Sequence, residues 1–437
     1  MCPSYKVSRD ELHTPRARAN VIREYLLATK NNPSADPHLS PSNVQEVLQS
    51  CLACKACKRE CPSGVDMTRL RAEVLQALYE REGTPLHTWM VAHNADVQRL
   101  GALMPPVYNF FATNRFTSSL LKRLVGFAPE RNIPRISSIS VSALSAQRGP
   151  QRASLEWGAL QRSNSASGLS AKRSVYLFID EFTRYQEPEL LDTFIRLADK
   201  LGYRVIIPRH VESGRAAISK GCLKLAKKYA EKNVRLLQDL ITSETPLVGI
   251  EPSCILTFRD EYPHLVPPEL HEAAERLAEN TLLYDEWLMR EVEAGHITTG
   301  QFSDLKADIW LHGHCHQKAL VGVEKTAALL DLPKNTTVHV IPSSCCGMAG
   351  SFGYEKEHYK TSLAIGEMVL FPAVRQAFNQ QSAISGQQSA ISGQPSADSG
   401  LTLIAAPGIS CRTQIHDGTG YTAHHPIEIL CKLLKNE

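Results

Sequence analysis

Cysteines at short, fixed gaps are where this sequence carries most of its chemistry. Cys51-x2-Cys54-x2-Cys57-x3-Cys61-Pro62 sets three thiols at two-residue gaps and a fourth three residues on. Such a loop wraps a 4Fe-4S cubane, whose irons take soft thiolates and whose sulfurs take backbone N–H groups. Zinc is usually held by paired C-x2-C knuckles far apart. In two-cluster proteins the fourth Cys of such a run serves the other cluster. Cys51, Cys54 and Cys57 then need a ligand from an upstream Cys-Pro, and Cys2-Pro3 is one. By the same logic Cys61 serves a second cluster whose other cysteines precede Cys2. The chain then starts inside a two-cluster domain. The alternative is a lone cluster with Cys61 as its fourth ligand and Cys2 a free thiol.

A second set lies in the last third: His312-Gly-His314-Cys315-His316, Cys345-Cys346-Gly347 and Ser410-Cys411. Each follows a strand candidate, and open parallel sheets gather ligands beyond their strand C-termini. Four thiols with imidazoles exceed what a structural zinc needs. The expectation is a redox cofactor, a second iron–sulfur cluster or a metal, on Cys315, Cys345, Cys346 and Cys411. His314 and His316 would be ligands or proton carriers. The alternative is a buried cluster of reduced thiols. Cys222 and Cys431 read as core or incidental. Neither a dinucleotide G-x-G-x-x-G nor a P-loop is present.

The elements that must position these groups are read from periodicity. Residues 1–135 read as a helical iron–sulfur domain, with amphipathic stretches at 21–30, 43–49 and 65–82. The last has an apolar face of Val65, Leu70, Val74, Leu75 and Leu78. Residues 136–174, rich in Ser, Ala, Gln, Gly and Arg, read as a flexible linker. Then come short apolar runs at 175–179, 204–207, 247–250, 308–311, 338–341 and 401–405, alternating with helical stretches, the pattern of parallel α/β units. They divide into two sets of three, 175–300 and 301–437. The second strand of each runs into a Gly-turn-helix (Glu212 to Ala217; Cys345 to Gly350) and the third into Ser-Cys (Ser253-Cys254; Ser410-Cys411). That shared order predicts an internal duplication. Three seven-residue units at 380–400 have too few apolar residues to offset the entropy of ordering and read as a disordered insertion. Tyr108 to Phe111 and Leu120 to Leu124 form an apolar stretch broken by Lys122 and Arg123. It reads as helix core or a domain interface, with membrane or quinone contact as the alternative.

The chain has 437 residues with 48 Lys and Arg against 45 Asp and Glu. So balanced a charge gives no reason to expect nucleic acid. No apolar run approaches a membrane span, and the first ten residues hold no apolar signal segment. The expected location is cytoplasmic, with room for peripheral contact with the inner face of a membrane. The 12 cysteines then point to metal or redox work rather than disulfides.

These motifs carry a resemblance. Cys2-Pro-Ser-Tyr5, Arg9-Asp-Glu11, Arg16-x-Arg18-Ala-Asn20 and the Cys51 run resemble the ferredoxin-type cluster region of FAD-linked oxidases. Glu212 to Gly221, Gly249 to Ser253, Arg259 to Tyr262, Cys345 to Tyr354 and Ser410 to Arg412 resemble the C-terminal half of that family. That half is similar to the cysteine-rich CCG domains of heterodisulfide reductase, glycolate oxidase and anaerobic glycerol-3-phosphate dehydrogenase iron–sulfur subunits. The implied fold class is α plus α/β, a helical ferredoxin-type domain followed by two duplicated CCG units. The implied role is electron transfer from a flavin partner that oxidises a 2-hydroxy acid of the D-lactate, D-2-hydroxyglutarate or glycolate type. FAD would sit only on the partner, an FAD-binding subunit or upstream half, and the acceptor would be a quinone or a cytochrome. The chain would be a subunit or the C-terminal fragment of a split gene. Two departures matter. Glu212-Ser213 stands where the family has Cys-Cys. Glu251 and Gly408 stand where C-x2-C pairs would put Cys, so the first unit is not expected to hold a cluster. A thiol–disulfide reductase acting at Cys345 and Cys346, or a non-catalytic remnant, are the other readings.

Overall fold

A computed structural model of the chain describes residues 2–31, 39–139, 173–379 and 400–435. The first stretches are helical: α1 (Pro3–Ser8), α2 (Pro15–Asn31), α3 (Pro41–Gln49), α4 (Ala56–Glu60), α5 (Met67–Glu82), α6 (Leu86–Ala92), α7 (Asn94–Gly101), α8 (Pro105–Thr113) and α9 (Arg115–Val125). Local sequence sets several of the starts. Proline occupies the first turn of α1, α3 and α8, where its missing N–H costs nothing. The Asp66 carboxylate caps α5 by accepting from the N–H groups of Thr68 and Arg69. Ile22, Val44, Leu48, Leu75 and Leu78 form the core of this part.

The buried stripe of α5 runs through Met67, Arg71, Val74, Leu75 and Leu78. Val65 and Leu70, expected on the inner face, are 44% and 42% exposed. Val65 precedes the first turn, and Leu70 lies off the stripe that starts from Met67. The apolar stretch in α8 and α9 is also not core. Ser118, Lys122 and Val125 are the buried residues of α9, and Lys122 Nζ donates to the Pro129 carbonyl at 3.0 Å. Its large apolar residues face outward, with Phe116 84% and Leu124 71% exposed. The helix packs by its small and polar side, which a reading of apolar content alone misassigns.

Two four-stranded parallel sheets follow. The strands are β1 (Arg173–Phe178), β2 (Tyr203–Ile206), β3 (Leu247–Gly249), β4 (Thr281–Leu283), β5 (Ala307–Leu311), β6 (Thr336–Val340), β7 (Leu401–Ala405) and β8 (Ala423–His424). Their orders are β2-β1-β3-β4 and β6-β5-β7-β8, the same arrangement twice. Val175 pairs with Val205 and Leu177 with Val248; Ile309 pairs with both Val338 and Leu403. The expected six strands are all present. β4 and β8 were not anticipated: three and two residues are too short to show a period of two.

Alternation along the strands sorts residues into layers. Val175, Leu177 and Val248 from one sheet join Ile309, Leu311 and Ala405 from the other in a single core between the sheets. Tyr176, Phe178 and Leu247 face the opposite side, with Ala72 and Ala92 of the helical part. Ile404 and Ala406 face the far side of the second sheet, with Cys345, Cys346, Cys411 and Leu52. The expected linker lies mostly outside the described residues, but its first residues are packed: Ile136 is buried and Ser137 N–H donates to the Tyr185 carbonyl. The seven-residue units at 380–399 also lie outside the described residues.

Candidate metal centres

The Cys51 loop runs from the end of α3 into α4, and its turn uses left-handed backbone at two residues other than glycine, Ala53 (φ 53°) and Lys55 (φ 59°). Such conformations cost free energy and persist where surroundings hold them. Lys55 is held: its buried ammonium meets Asp66 at 3.2 Å, Asp260 at 2.5 Å and Glu261 at 3.0 Å. The coiled loop turns amides toward sulfur, as Ala53 N–H to Cys51 Sγ at 3.4 Å shows. Cys57 receives the amides of Met67 and Lys58, and Cys2 those of Tyr5 and Ser4.

Cys2, Cys51, Cys54 and Cys57 come together. Burial raises the Cys54 thiol well above its usual range, and the charges of Cys51 and Cys2 add to that; Cys57 is raised by burial, with Cys51 again contributing. At Cys2 burial opposes ionisation, but Arg18 and the amides of Tyr5 and Ser4 together lower the thiol. Arg18 is buried, donates to Cys2 Sγ at 3.4 Å and to Ser50 Oγ at 2.8 Å, and so ties α1 to the loop. In the sequence Arg18 stands out only as part of a motif; an arginine on an otherwise helical face was the available signal. Cys61 stands apart. It is half-buried, and its thiol is lowered by the amides of Val65, Ser63 and Gly64. Four sulfurs with converging N–H groups are a donor set that suits a cubane.

The second set forms at the C-terminal ends of β5, β6 and β7. Cys315 opens the helix Cys315–Leu320, Cys345 and Cys346 lie in the turn after β6, and Cys411 is in the first turn of Ile409–Thr419. The expected helix directly after Cys346 is absent. Gly347, Ala349 and Gly350 all have positive φ, and the chain curls around the thiols before a short 3-10 turn at Phe352–Tyr354. A side chain at Gly347 would meet the Ser362 carbonyl at 2.3 Å. In the first sheet the matching turn does become a helix, Arg215–Lys220, after Gly214.

The thiols contact one another. Cys315 is lowered to about 6, chiefly because the Cys345 thiol bonds to it; Cys346 is lowered by bonds from Cys345 and Cys411. Cys345 and Cys411, as donors, are raised. The imidazole that joins them is His312. Its ligating nitrogen and the sulfurs of Cys346 and Cys411 lie within 4.8 Å of one another. Nδ1 is bonded to Ser343 Oγ at 2.6 Å, and the other face of the buried ring meets the Cys346 thiol. The sequence favours His314 and His316 instead. His314 Nδ1 accepts from the His316 N–H at 3.2 Å, capping the helix. His316 Nε2 donates to the Ala53 carbonyl at 2.8 Å. His312, named in the motif but not among its favoured ligands, directly follows β5. Two soft thiols beside an imidazole, with Cys315 and Cys345 bonded on through Cys346, fit a soft metal or cluster.

His316 to Ala53 is one of several ties between the two sets. Cys315 is the largest charge influence on Cys54, and Arg59 Nη1 donates to the Lys318 carbonyl. The two thiol groups are neighbours, although far apart in sequence.

The first sheet keeps one soft donor at the equivalent place, the buried Cys254, among Ser213, Glu181 and Glu251. Ser213 donates to Glu181 from Oγ at 2.9 Å and from N–H at 3.2 Å. Burial pushes Glu181 up to about 7 and Asp180 to about 6. Glu251 accepts from Ser253 Oγ at 2.8 Å and, across the interface, from the Ile409 N–H at 3.0 Å. Its Oε1 is 3.9 Å from His314 Nε2. Glu251 thus helps frame the second site. Gly408 is equally specific: a Cβ there would stand 2.5 Å from His314 Cδ2.

Known proteins match this picture. Residues 1–65 match a 4Fe-4S dicluster domain. A D-2-hydroxyglutarate dehydrogenase of Escherichia coli (strain K12) is 26% identical over all of this chain, which spans 42% of that protein's length. The Pseudomonas putida protein of the same description is 27% identical over 98% of the chain and 41% of its own length. One subunit of the anaerobic glycerol-3-phosphate dehydrogenase of Escherichia coli (strain K12) is 25% identical over 82% of the chain and 80% of its own length. The chain spans less than half of the D-2-hydroxyglutarate dehydrogenases it matches. From end to end it resembles the iron–sulfur half of FAD-linked oxidases, with a 4Fe-4S dicluster domain at residues 1–65.

Proposed function

We propose that this chain is the iron–sulfur electron-transfer module of a FAD-linked 2-hydroxy-acid dehydrogenase. Its substrate class would be of the D-2-hydroxyglutarate, D-lactate or glycolate type. The observation that carries the reading is the adjacency of the two thiol groups: Cys54 and Cys315 pack against one cluster, and His316 is bonded to Ala53 of the Cys51 loop. One-electron carriers must lie close to pass charge, and here two soft donor sets meet in one protein. In this reading residues 1–135 are a ferredoxin-type domain, and the two sheets are duplicated CCG units of which the first is degenerate. Cys2, Cys51, Cys54 and Cys57 hold a cubane. Cys315, Cys345, Cys346 and Cys411, with His312, hold a second cluster or metal. Bound there, these groups supply reversible one-electron storage.

The chain's own residues do the rest. Arg18 draws the Cys2 thiol down against burial. Lys55 fixes the loop. His316 and Arg59 dock the loop onto the second site. Cys61, outside the first set, would serve a second cubane completed by three cysteines from outside these 437 residues, on a partner that brings FAD.

Iron and acid-labile sulfide on anaerobically purified protein, with low-temperature EPR after reduction, test this. Cys54→Ser should abolish the cubane signal, whereas Cys61→Ser should leave it. Zinc without labile sulfide would sink the reading, and loss of the cluster in Cys61→Ser would make Cys61 its fourth ligand.

A further inference from the structure

Lys318 stands on the helix Cys315–Leu320, three residues after the cysteine that opens it. At that spacing two side chains share one face of a helix. The Lys318 ammonium donates to the Ser343 carbonyl at 2.6 Å. The hydroxyl of the same Ser343 is bonded to His312 Nδ1 at 2.6 Å, and Cys345 lies two residues further along the turn. Lys318 is thereby fixed to the segment that carries two of the four thiols and to the imidazole that meets them. A glycine leaves room for its stem: a Cβ at Gly313 would stand 3.3 Å from Lys318 Cγ. The helix is pinned at the same residue, because Arg59 Nη1 donates to the Lys318 carbonyl.

What Lys318 lacks is a carboxylate. Lys55 meets Asp66, Asp260 and Glu261, and Lys220 meets Glu355. Lys318 makes no ion pair among the described residues, and its ammonium has the Ser343 carbonyl alone. A cation drawn out of water needs an anion close by. Burial draws the Lys318 ammonium down, and the charges that oppose this are those of Cys315, Cys411, Cys345 and Cys346. All four thiols of the second site thus act on one lysine. Metal ligation keeps thiols as thiolates, and four of them outweigh the charge of a divalent ion. A loaded site is then an anion, and Lys318 is the cation beside it.

We infer that Lys318 is the counter-charge of the second thiol site: its fixed positive charge offsets the negative charge gathered there and so sets how readily the site accepts an electron. The inference rests on the electron-transfer reading above and adds to it a residue that ligates nothing. One electron passed on from the first thiol set, itself supplied by the flavin partner, adds one negative charge at the second. Lys318 stays an ammonium throughout, so no bond to it forms or breaks and no proton leaves it. Unit charges close together in a protein interior act strongly on one another, so one lysine is enough to move the balance.

The test is a potential. The full chain, purified anaerobically, is titrated with dithionite and followed by low-temperature EPR, with iron and labile sulfide counted on the same samples. Lys318→Met, which keeps the stem and removes the charge, should make reduction of the second site about tenfold less favourable, a midpoint about 59 mV lower for one electron. The Cys54-dependent signal of the first site should move less. Lys318→Arg, which restores the charge, should bring the midpoint back to within about threefold of native. Should Lys318→Met fail to fold or to hold iron, Lys318→Gln, which keeps an N–H donor, carries the same measurement. An unmoved midpoint in a neutral variant with full iron overturns the inference, and so does an equal fall in Lys318→Arg, which would make shape rather than charge the cause. Either result leaves the electron-transfer reading standing. A native chain whose second site holds no redox-active metal would sink that reading, and the counter-charge with it.

Discussion

A single hydrogen in place of a side chain decides whether the second site can form. Gly408 has ordinary extended backbone, φ −86° and ψ 136°, so nothing in its conformation demands glycine. What demands it is the His314 ring beside it, with Cys411 Sγ also close, 3.3 Å from where a Cβ would stand. Restoring the cysteine that a C-x2-C pair would place here therefore could not restore a ligand. Gly408→Ala is expected to lose metal from the second site while the Cys54-dependent signal of the first persists; iron counts with EPR on the variant check this, and undiminished iron would refute it. Residue types at this scale were largely legible. The thiols announced themselves because cluster spacing is local. Arg18 and Glu251 did not announce their roles, because each acts on groups distant in sequence: Arg18 on Cys2 and Ser50, Glu251 on Ile409.

At the scale of elements, the Cys51 loop is fastened to the first sheet by charge. Lys55 is buried with Asp66, Asp260 and Glu261 around it, and Lys58 and Arg215 neutralise part of that cluster. Burial opposes the charge on Asp66 and Asp260, but Lys55 outweighs it and both carboxyls are lowered. A lowered carboxyl stabilises the fold above its unfolded pKa, near 4, and that contribution fades as pH falls through the lower folded value. Lys55→Met leaves buried carboxylates without their main partner, at a cost of about 3 kcal/mol at pH 7. The deficit should shrink below pH 4, where protonation removes the unbalanced charge. Urea melts at pH 7 and pH 3.5 measure both; an equal deficit at the two values would contradict the account. Elements themselves were legible in proportion to their length. Strands of four to six residues showed as apolar runs, while β4 and β8 did not. The inverted face of α9 was misread because apolar content tells how much surface a helix must hide or share, and not which neighbour takes it.

For the whole molecule, the two sheets share one core, with Val175 and Leu177 packed into the same cluster as Ile309, Leu311 and Ala405. Leu311→Ala should cost about 2–5 kcal/mol and lower the unfolding of both sheets together. Calorimetry should show one α/β transition moving, and a second peak left in place would show that the sheets melt separately. The shared core also bears on history. The first sheet can exchange its cluster chemistry for carboxylates, as Glu181 and Glu251 illustrate, because soft donors there are dispensable to its neighbour. It cannot be deleted, because the working sheet leans on its apolar face and borrows Glu251 at its rim. Two such units form a ratchet: either may lose its trade, and neither may leave.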